Sequence, residues 1–238
     1  MDLTLFDLDH TLLADDSDYQ WNRFLVDEGV VDRTLYEREN ERFHDQYKAG
    51  NLDIHAYQRF ALAPLLTHAL DDMHALRARF VAERIQPVVA RHARALVALH
   101  RERGDALAII TATNRFITEP IAELLDIDTL IATDPEIVDG AYTGEIAGTP
   151  SFQEGKIARA QAWVAAQPQA FERVTFYSDS HNDLPLLRWA DVAIAVDPDD
   201  TLAAAARDAG WPIISLRGET SPLQGLQAFT PRRQGARK

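Results

Sequence analysis

The chain has 238 residues, 46% of them hydrophobic, which suits one α/β domain with an insertion or two small domains. Its 37 acidic against 24 basic residues leave a formal charge of −13, which argues against a nucleic-acid partner, because gripping a phosphate backbone takes a basic face. The lack of cysteine excludes disulfides, thiolate catalysis and cysteine-held zinc; no apolar run approaches a membrane span and no basic-then-apolar leader opens the chain, so no membrane partner and cytoplasmic residence are expected.

The first predicted element is the strand Leu3-Thr4-Leu5-Phe6, and Asp7-Leu8-Asp9-His10-Thr11 follows it directly. In open α/β sheets ligands bind outside the carboxyl ends of the strands. Two carboxylates this close resist ionising together unless a cation screens them. Magnesium meets that need, since it takes hard oxygen ligands and often shares one or two carboxylates with a substrate phosphate. A D-x-D-x-T at a strand end therefore suggests a metal-assisted phosphoryl site, although acidic pairs also cap helices and decorate turns.

Residues 18–84 read as helical. Trp21, Phe24 and Leu25, then Leu35, Tyr36, Phe43 and Tyr47, recur at helical spacing with charged residues between them. Gly29 and Gly50 are candidate helix stops and Asp53 a candidate N-cap. After Pro87 the pattern Val88-Val89, His92, Leu96-Val97, Leu99-His100 predicts another amphipathic helix, stopped near Gly104. From Asp105 to Leu216 strand and helix alternate, which favours a parallel sheet with right-handed crossovers.

The strand Ala106-Leu107-Ala108-Ile109-Ile110 ends in Thr111, a hydroxyl at a second strand end. Asp139-Gly140, between Leu130-Ile131-Ala132 and Tyr142-Thr143, reads as a hairpin turn. Lys156 follows Glu154-Gly155 and opens a helical pattern. Val174-Thr175-Phe176-Tyr177 then runs into a second acidic cluster, Ser178-Asp179-Ser180-His181-Asn182-Asp183. Val192-Ala193-Ile194-Ala195-Val196 and Pro212-Ile213-Ile214-Ser215-Leu216 supply the last strands, and the basic tail from Pro231 is expected to be disordered.

With acidic pair, hydroxyl, lysine and second acidic cluster in this order, the chain resembles the haloacid dehalogenase superfamily over about residues 2–216, in its phosphoserine-phosphatase-like branch with a helical cap. The resemblance implies an α/β fold: a Rossmann-like core with a parallel sheet (residues 1–14 and 86–225), an α-helical cap inserted after the first strand (15–85) and a tail (226–238). It also implies a magnesium-dependent phosphomonoester phosphatase acting through an aspartyl-phosphate on a small phosphorylated metabolite.

In that chemistry Asp7 is the candidate nucleophile and Asp9 the general acid and base. The family pattern adds metal contacts: a side-chain ligand from Asp7, the backbone carbonyl of Asp9, Asp179 as a direct ligand and Asp183 as a water-mediated one. Thr111 is a candidate donor to phosphate, assisted by the backbone N–H groups of Ala112 and Thr113 near a helix start. Lys156 would set a positive charge against the transferring phosphoryl group. Asn182 falls where this branch places a substrate-contacting amide, whereas Ser178 and Ser180 replace its usual glycines. His181, without a second histidine at metal spacing, reads as loop structure.

Asp16, nine places after the candidate nucleophile, matches the branch's ammonium-binding acid, and Arg59 is a possible match to its carboxylate-binding arginine. Their alternatives are a helix-start acidic cluster with Asp15 and Asp18 and an ordinary surface charge. Histidinol phosphate is the favoured substrate, because its cationic side suits an acidic cap and it has no carboxylate. The alternatives are phosphoserine, a phosphotransferase using the same aspartate, or a silent scaffold. No protein partner can be inferred.

Overall fold

Leu3, Leu5 and Phe6 leave no polar face for solvent, and in the computed structural model, which describes residues 1–229, they form the inner strand β1 (Leu3–Phe6), buried throughout. It pairs in parallel with β2 (Ala106–Asn114) on one side and β6 (Val174–Ser178) on the other. With β3 (Thr129–Thr133), β7 (Val192–Val196) and β8 (Ile213–Ile214), the sheet runs in the order β3-β2-β1-β6-β7-β8. Alternation divides β1 between two cores. Leu3 and Leu5 pack with Ala108, Ile110 and Phe176, and Phe6 with Ile109, Tyr177 and Ile194.

The insertion that follows β1 carries four α-helices: α1 (Ser17–Asp27), α2 (Arg33–Lys48), α3 (Ile54–Thr67) and α4 (Leu70–Phe80). Asp16, Asp32 and Asp53 cap the first three, each accepting from backbone N–H groups of the first turn. Gly29 and Gly50, both at φ +70°, turn the chain out of α1 and α2 in a conformation that suits glycine. The insertion is joined to the sheet by one continuous apolar core. Trp21 meets Phe80 with ring centroids 5.2 Å apart and Phe116, from α6 (Arg115–Leu124), at 6.1 Å. The chain's exit and return are stitched together, Ala14 N–H donating to Val88 O at 2.7 Å and Ala90 N–H to Leu12 O at 2.9 Å.

That stitching corrects one expectation: Val88 closes a separate 3-10 turn (Gln86–Val88) and Val89 leaves the helical path to bridge Leu13, so α5 (Ala93–Arg103) starts later. It ends at Gly104 as expected, with φ +81°. The Asp139-Gly140 hairpin also has other arms. β4 (Pro135–Val138) pairs with β5 (Ala141–Ile146), while Leu130-Ile131-Ala132 sits in β3 of the main sheet.

Helices α7 (Glu154–Ala165), α8 (Leu184–Trp189) and α9 (Asp200–Ala209) complete the alternation. The last strand shortens to Ile213–Ile214 at the sheet edge, where Pro212 has no N–H to give. Helix α10 (Leu223–Phe229) buries Leu226, so residues 226–229, expected in the tail, are helical; the rest of that tail lies outside the described residues. No helix among the described residues is long and apolar enough to cross a membrane.

Candidate active site

Asp7 leaves the sheet at the end of β1, where its N–H still bonds Tyr177 O at 2.9 Å, so its side chain starts from a fixed backbone. The chain then makes one wide turn, Leu8–Leu12, in which Asp9 is extended (ψ 137°) and His10 left-handed (φ 55°). Thr11, buried in that turn, donates to Asp179 Oδ1 at 2.9 Å and so ties the end of β1 to the loop after β6.

Lys156, in the first turn of α7, is 3% exposed. Its Nζ donates to Asp7 Oδ1 and Asp183 Oδ2, both at 2.7 Å, and the Ser178 hydroxyl donates to the same Asp183 oxygen at 2.7 Å. Burial pushes the Asp7 carboxyl up to about 7, with Lys156 pulling it down and Asp183 and Asp9 pushing it up. Asp179 is raised well above the carboxylate range, first by burial and then by the charge of Asp7. Burial lowers Lys156, but Asp183 and Asp7 outweigh it and hold the ammonium above its ordinary value.

Asp9 accepts from the Ser17 N–H at 2.7 Å and the Thr113 hydroxyl at 2.8 Å. Burial, then the charge of Asp16, raises it to about 6. Asp7, Asp9, Asp16, Thr111, Ala112, Thr113, Lys156, Asn182 and Asp183 all line one cleft of about 710 Å³, and Asp179 adjoins it through Thr11 and Asp7. The aromatic side of that cleft is Tyr19, Phe43, His44, Tyr47, Tyr57 and Phe152, all but Phe152 from the helical insertion.

Several sequence assignments take a different form here. Arg59 stands outside the cleft, half-exposed and paired with Glu145 at 3.2 Å, so nothing in its position reaches a substrate carboxylate. The Thr113 N–H is spent on Thr111 Oγ1 at 3.2 Å rather than turned toward an incoming anion. Asn182 is a tether: it accepts from Gln153 Nε2 at 2.9 Å and donates to Tyr47 O at 3.2 Å, joining the loop after β6 to the end of α2. Asp16 lines the cleft, but its Oδ1 accepts from the N–H groups of Asp18 and Tyr19, both at 2.9 Å.

Sequence reasoning noted Ser178 and Asp18 without giving them a site role, and passed over Gln153, Tyr57 and Gln58, whose amide donates to Ala112 O at 3.4 Å. Thr11 was visible as the last residue of D-x-D-x-T, and its bond to Asp179 gives that threonine a function. The insertion residues gave no such signal.

The donors fit magnesium. Asp7, Asp179 and Asp183 offer hard carboxylate oxygens; burial first, and then the neighbouring carboxylates that Lys156 alone does not balance, makes Asp7 and Asp179 resist ionising. Among the described residues no three acidic or histidine side chains form a ready-made cage. Magnesium needs none where one or two carboxylates share it with a phosphate.

The haloacid dehalogenase-like hydrolase profile matches residues 4–188. A protein of Neisseria meningitidis named histidinol-phosphatase is 41% identical over 219 residues, 90% of this chain and 99% of that protein. A phosphoserine phosphatase of Mycobacterium tuberculosis is 30% identical over 91% of this chain and 72% of its own length. Among solved structures, a Bordetella pertussis protein of unknown function superposes with a TM-score of 0.85 at 42% identity, covering 90% of this chain and 98% of the other. A substrate-bound phosphoserine phosphatase superposes at 0.68 with 18% identity, covering 96% and 97%, a likeness of fold alone. The chain belongs to the haloacid dehalogenase-like hydrolase family.

Proposed function

We propose that this enzyme is a magnesium-dependent phosphatase of small phosphomonoesters, with histidinol phosphate as the favoured substrate. A core of residues 1–14 and 86–225 performs the chemistry and a helical cap of residues 15–85 selects the alcohol. The observation that carries the reading is the cluster Asp7–Lys156–Asp183 with Asp9 opening on the same cleft.

An Asp7 oxygen attacks phosphorus while the bond from phosphorus to the substrate oxygen breaks, and Asp9 gives that oxygen its proton. In the second step Asp9 takes a proton from water, the water oxygen bonds to phosphorus, and the bond to Asp7 breaks to release inorganic phosphate. A carboxyl at about 6 suits a group that must hold a proton in one step and accept it in the next. Lys156 keeps Asp7 aimed and sets a positive charge beside the phosphoryl group, and the Thr111–Ala112 loop receives its oxygens. Asp7, the Asp9 carbonyl and Asp179 would hold magnesium, with Asp183 behind them; when bound it neutralises phosphate charge and polarises the phosphoryl oxygens.

The choice of substrate follows from charge. The basic side chains lining the cleft, among the described residues, are Lys156, committed to two carboxylates, and the imidazoles of His10 and His44. An amino-acid phosphate would bring a carboxylate with no arginine to meet it, since Arg59 lies elsewhere. A cationic amino-alcohol phosphate meets the acids already there. The relative named histidinol-phosphatase supports the same choice. The test is phosphate release from histidinol phosphate with magnesium, expected to vanish with chelator and in Asp7→Asn; release that survives both contradicts the proposal.

A further inference from the structure

Asp18 takes no part in the hydrolytic steps, yet it is a carboxylate in the wall of the same cleft, 4% exposed, with an Oδ1 that has no hydrogen-bond partner. Tyr57, from α3, adjoins this carboxyl in the cleft wall, and the charges it senses are the carboxylates of Asp16 and Asp9. Lys156 lines the cleft too but is held by Asp7 and Asp183. A buried carboxylate without a counter-ion is costly unless it keeps a proton or meets a cation.

Asp16, two residues earlier, is employed differently. Its Oδ1 holds the first turn of α1 through two N–H groups. Tyr19, Phe43 and His44 line the cleft with Tyr57, and the rings of Tyr19 and His44 lie 5.0 Å apart. Aromatic faces attract cations and stack on flat rings. An unpartnered carboxyl oxygen and a set of ring faces in one cavity describe a receptor for a cation that is itself planar or carries a protonated amine.

We propose that Asp18, backed by Tyr57, is the specificity residue that receives the cationic end of the substrate's alcohol, an ammonium or imidazolium. The proposal rests on the phosphatase reading and adds which residue selects the alcohol. Asp16 is then the helix cap that presents Asp18.

The test uses the full chain with magnesium, p-nitrophenyl phosphate as reporter and histidinol, the phosphate-free alcohol, as probe. Histidinol should inhibit wild type competitively and raise its melting temperature; 3-phenylpropan-1-ol, of similar size but uncharged, should do so far less. In Asp18→Asn the inhibition constant for histidinol should rise about tenfold or more beyond any change in KM for the reporter, as expected when a charge-assisted contact is lost. The thermal shift with histidinol should disappear.

A purely structural role predicts otherwise: a lower melting temperature without ligand, and inhibition constant and KM moving together. Equal effects on both, or equal inhibition by the uncharged alcohol, overturn the proposal. Should Asp18→Asn not fold, Tyr57→Phe must show the same selective rise, smaller in size, and no rise there is equally fatal. Calorimetric binding of histidinol needs no turnover, so absence of reporter hydrolysis would strike the phosphatase reading while leaving the role of Asp18 measurable.

Discussion

Lys156 has two carboxylate partners and almost no water, so its removal has two consequences. Lys156→Met should cost about 3–5 kcal/mol of stability, because it leaves Asp7 and Asp183 buried and unpaired. It should also stop turnover. Adding Asp183→Asn to this variant should recover stability but not activity, which denaturant unfolding and phosphate release separate; recovery of neither would mean that the lysine's role is packing. Asp9→Asn should slow turnover by about 10²–10⁴-fold, the usual worth of a general acid and base. A trapped phosphoryl group on Asp7 in that variant, found by mass spectrometry, would support the order of steps, and an undiminished rate would refute the role.

What was legible at this scale followed the backbone. Asp7, Asp9, Lys156 and Asp183 sit at strand ends or a helix start, where the local pattern alone says which way function lies. Arg59 and Gln58 show where that fails. They are neighbours on α3, yet Gln58 is buried against Ala112 O and Arg59 faces Glu145 outside. A helix turns by about 100° per residue, so an error of one position moves a side chain from cleft to solvent. Only the packing of the insertion decides which of the two faces in.

At the scale of elements, one set of polar contacts ties the end of α2 to the loop after β6. Gln153 donates to Gly50 O at 3.1 Å and to Asn182, while Asn182 donates to Tyr47 O. Asn182→Ala removes two of these bonds, each worth about 0.5–1.5 kcal/mol. The expected result is a KM for histidinol phosphate roughly tenfold higher with a smaller fall in kcat; a fall in kcat alone would place the amide at the chemical step instead.

The strands were legible because β1, β2, β6 and β7 are apolar runs bounded by polar residues, as inner parallel strands must be. Helix starts were legible where an aspartate caps them, as Asp53 does for α3. The arms of the β4–β5 hairpin were not. Leu130-Ile131-Ala132 could serve as a hairpin arm or a sheet strand on local pattern alone, and pairing with β2 chose the sheet.

For the whole molecule, charge sets how stability responds to pH and metal. Asp7 is raised to about 7 and Asp9 to about 6, so between their ordinary range and these values the folded chain holds protons that the unfolded chain has released. Proton binding by the folded state makes stability fall as pH rises across that interval. Metal-free protein should therefore melt at a lower temperature at pH ~8 than at pH ~5.5, by the linkage just stated. Magnesium should reverse this most strongly at the higher pH, adding about 2.7 kcal/mol at one hundred times its Kd, or roughly 5–11 °C for a chain of this size. A melting temperature indifferent to magnesium at both pH values would contradict the assigned metal site.

The most direct measurement is the ratio of kcat/KM for histidinol phosphate to that for phosphoserine, both with magnesium. The two substrates carry the same phosphate and both carry an ammonium; they differ in the imidazole of one and the carboxylate of the other. A cleft rich in acids and rings, with its lysine already engaged, should favour histidinol phosphate by about 100-fold or more, the worth of roughly 2.7 kcal/mol in the transition state. Equal rates, or a preference for phosphoserine, would contradict the account.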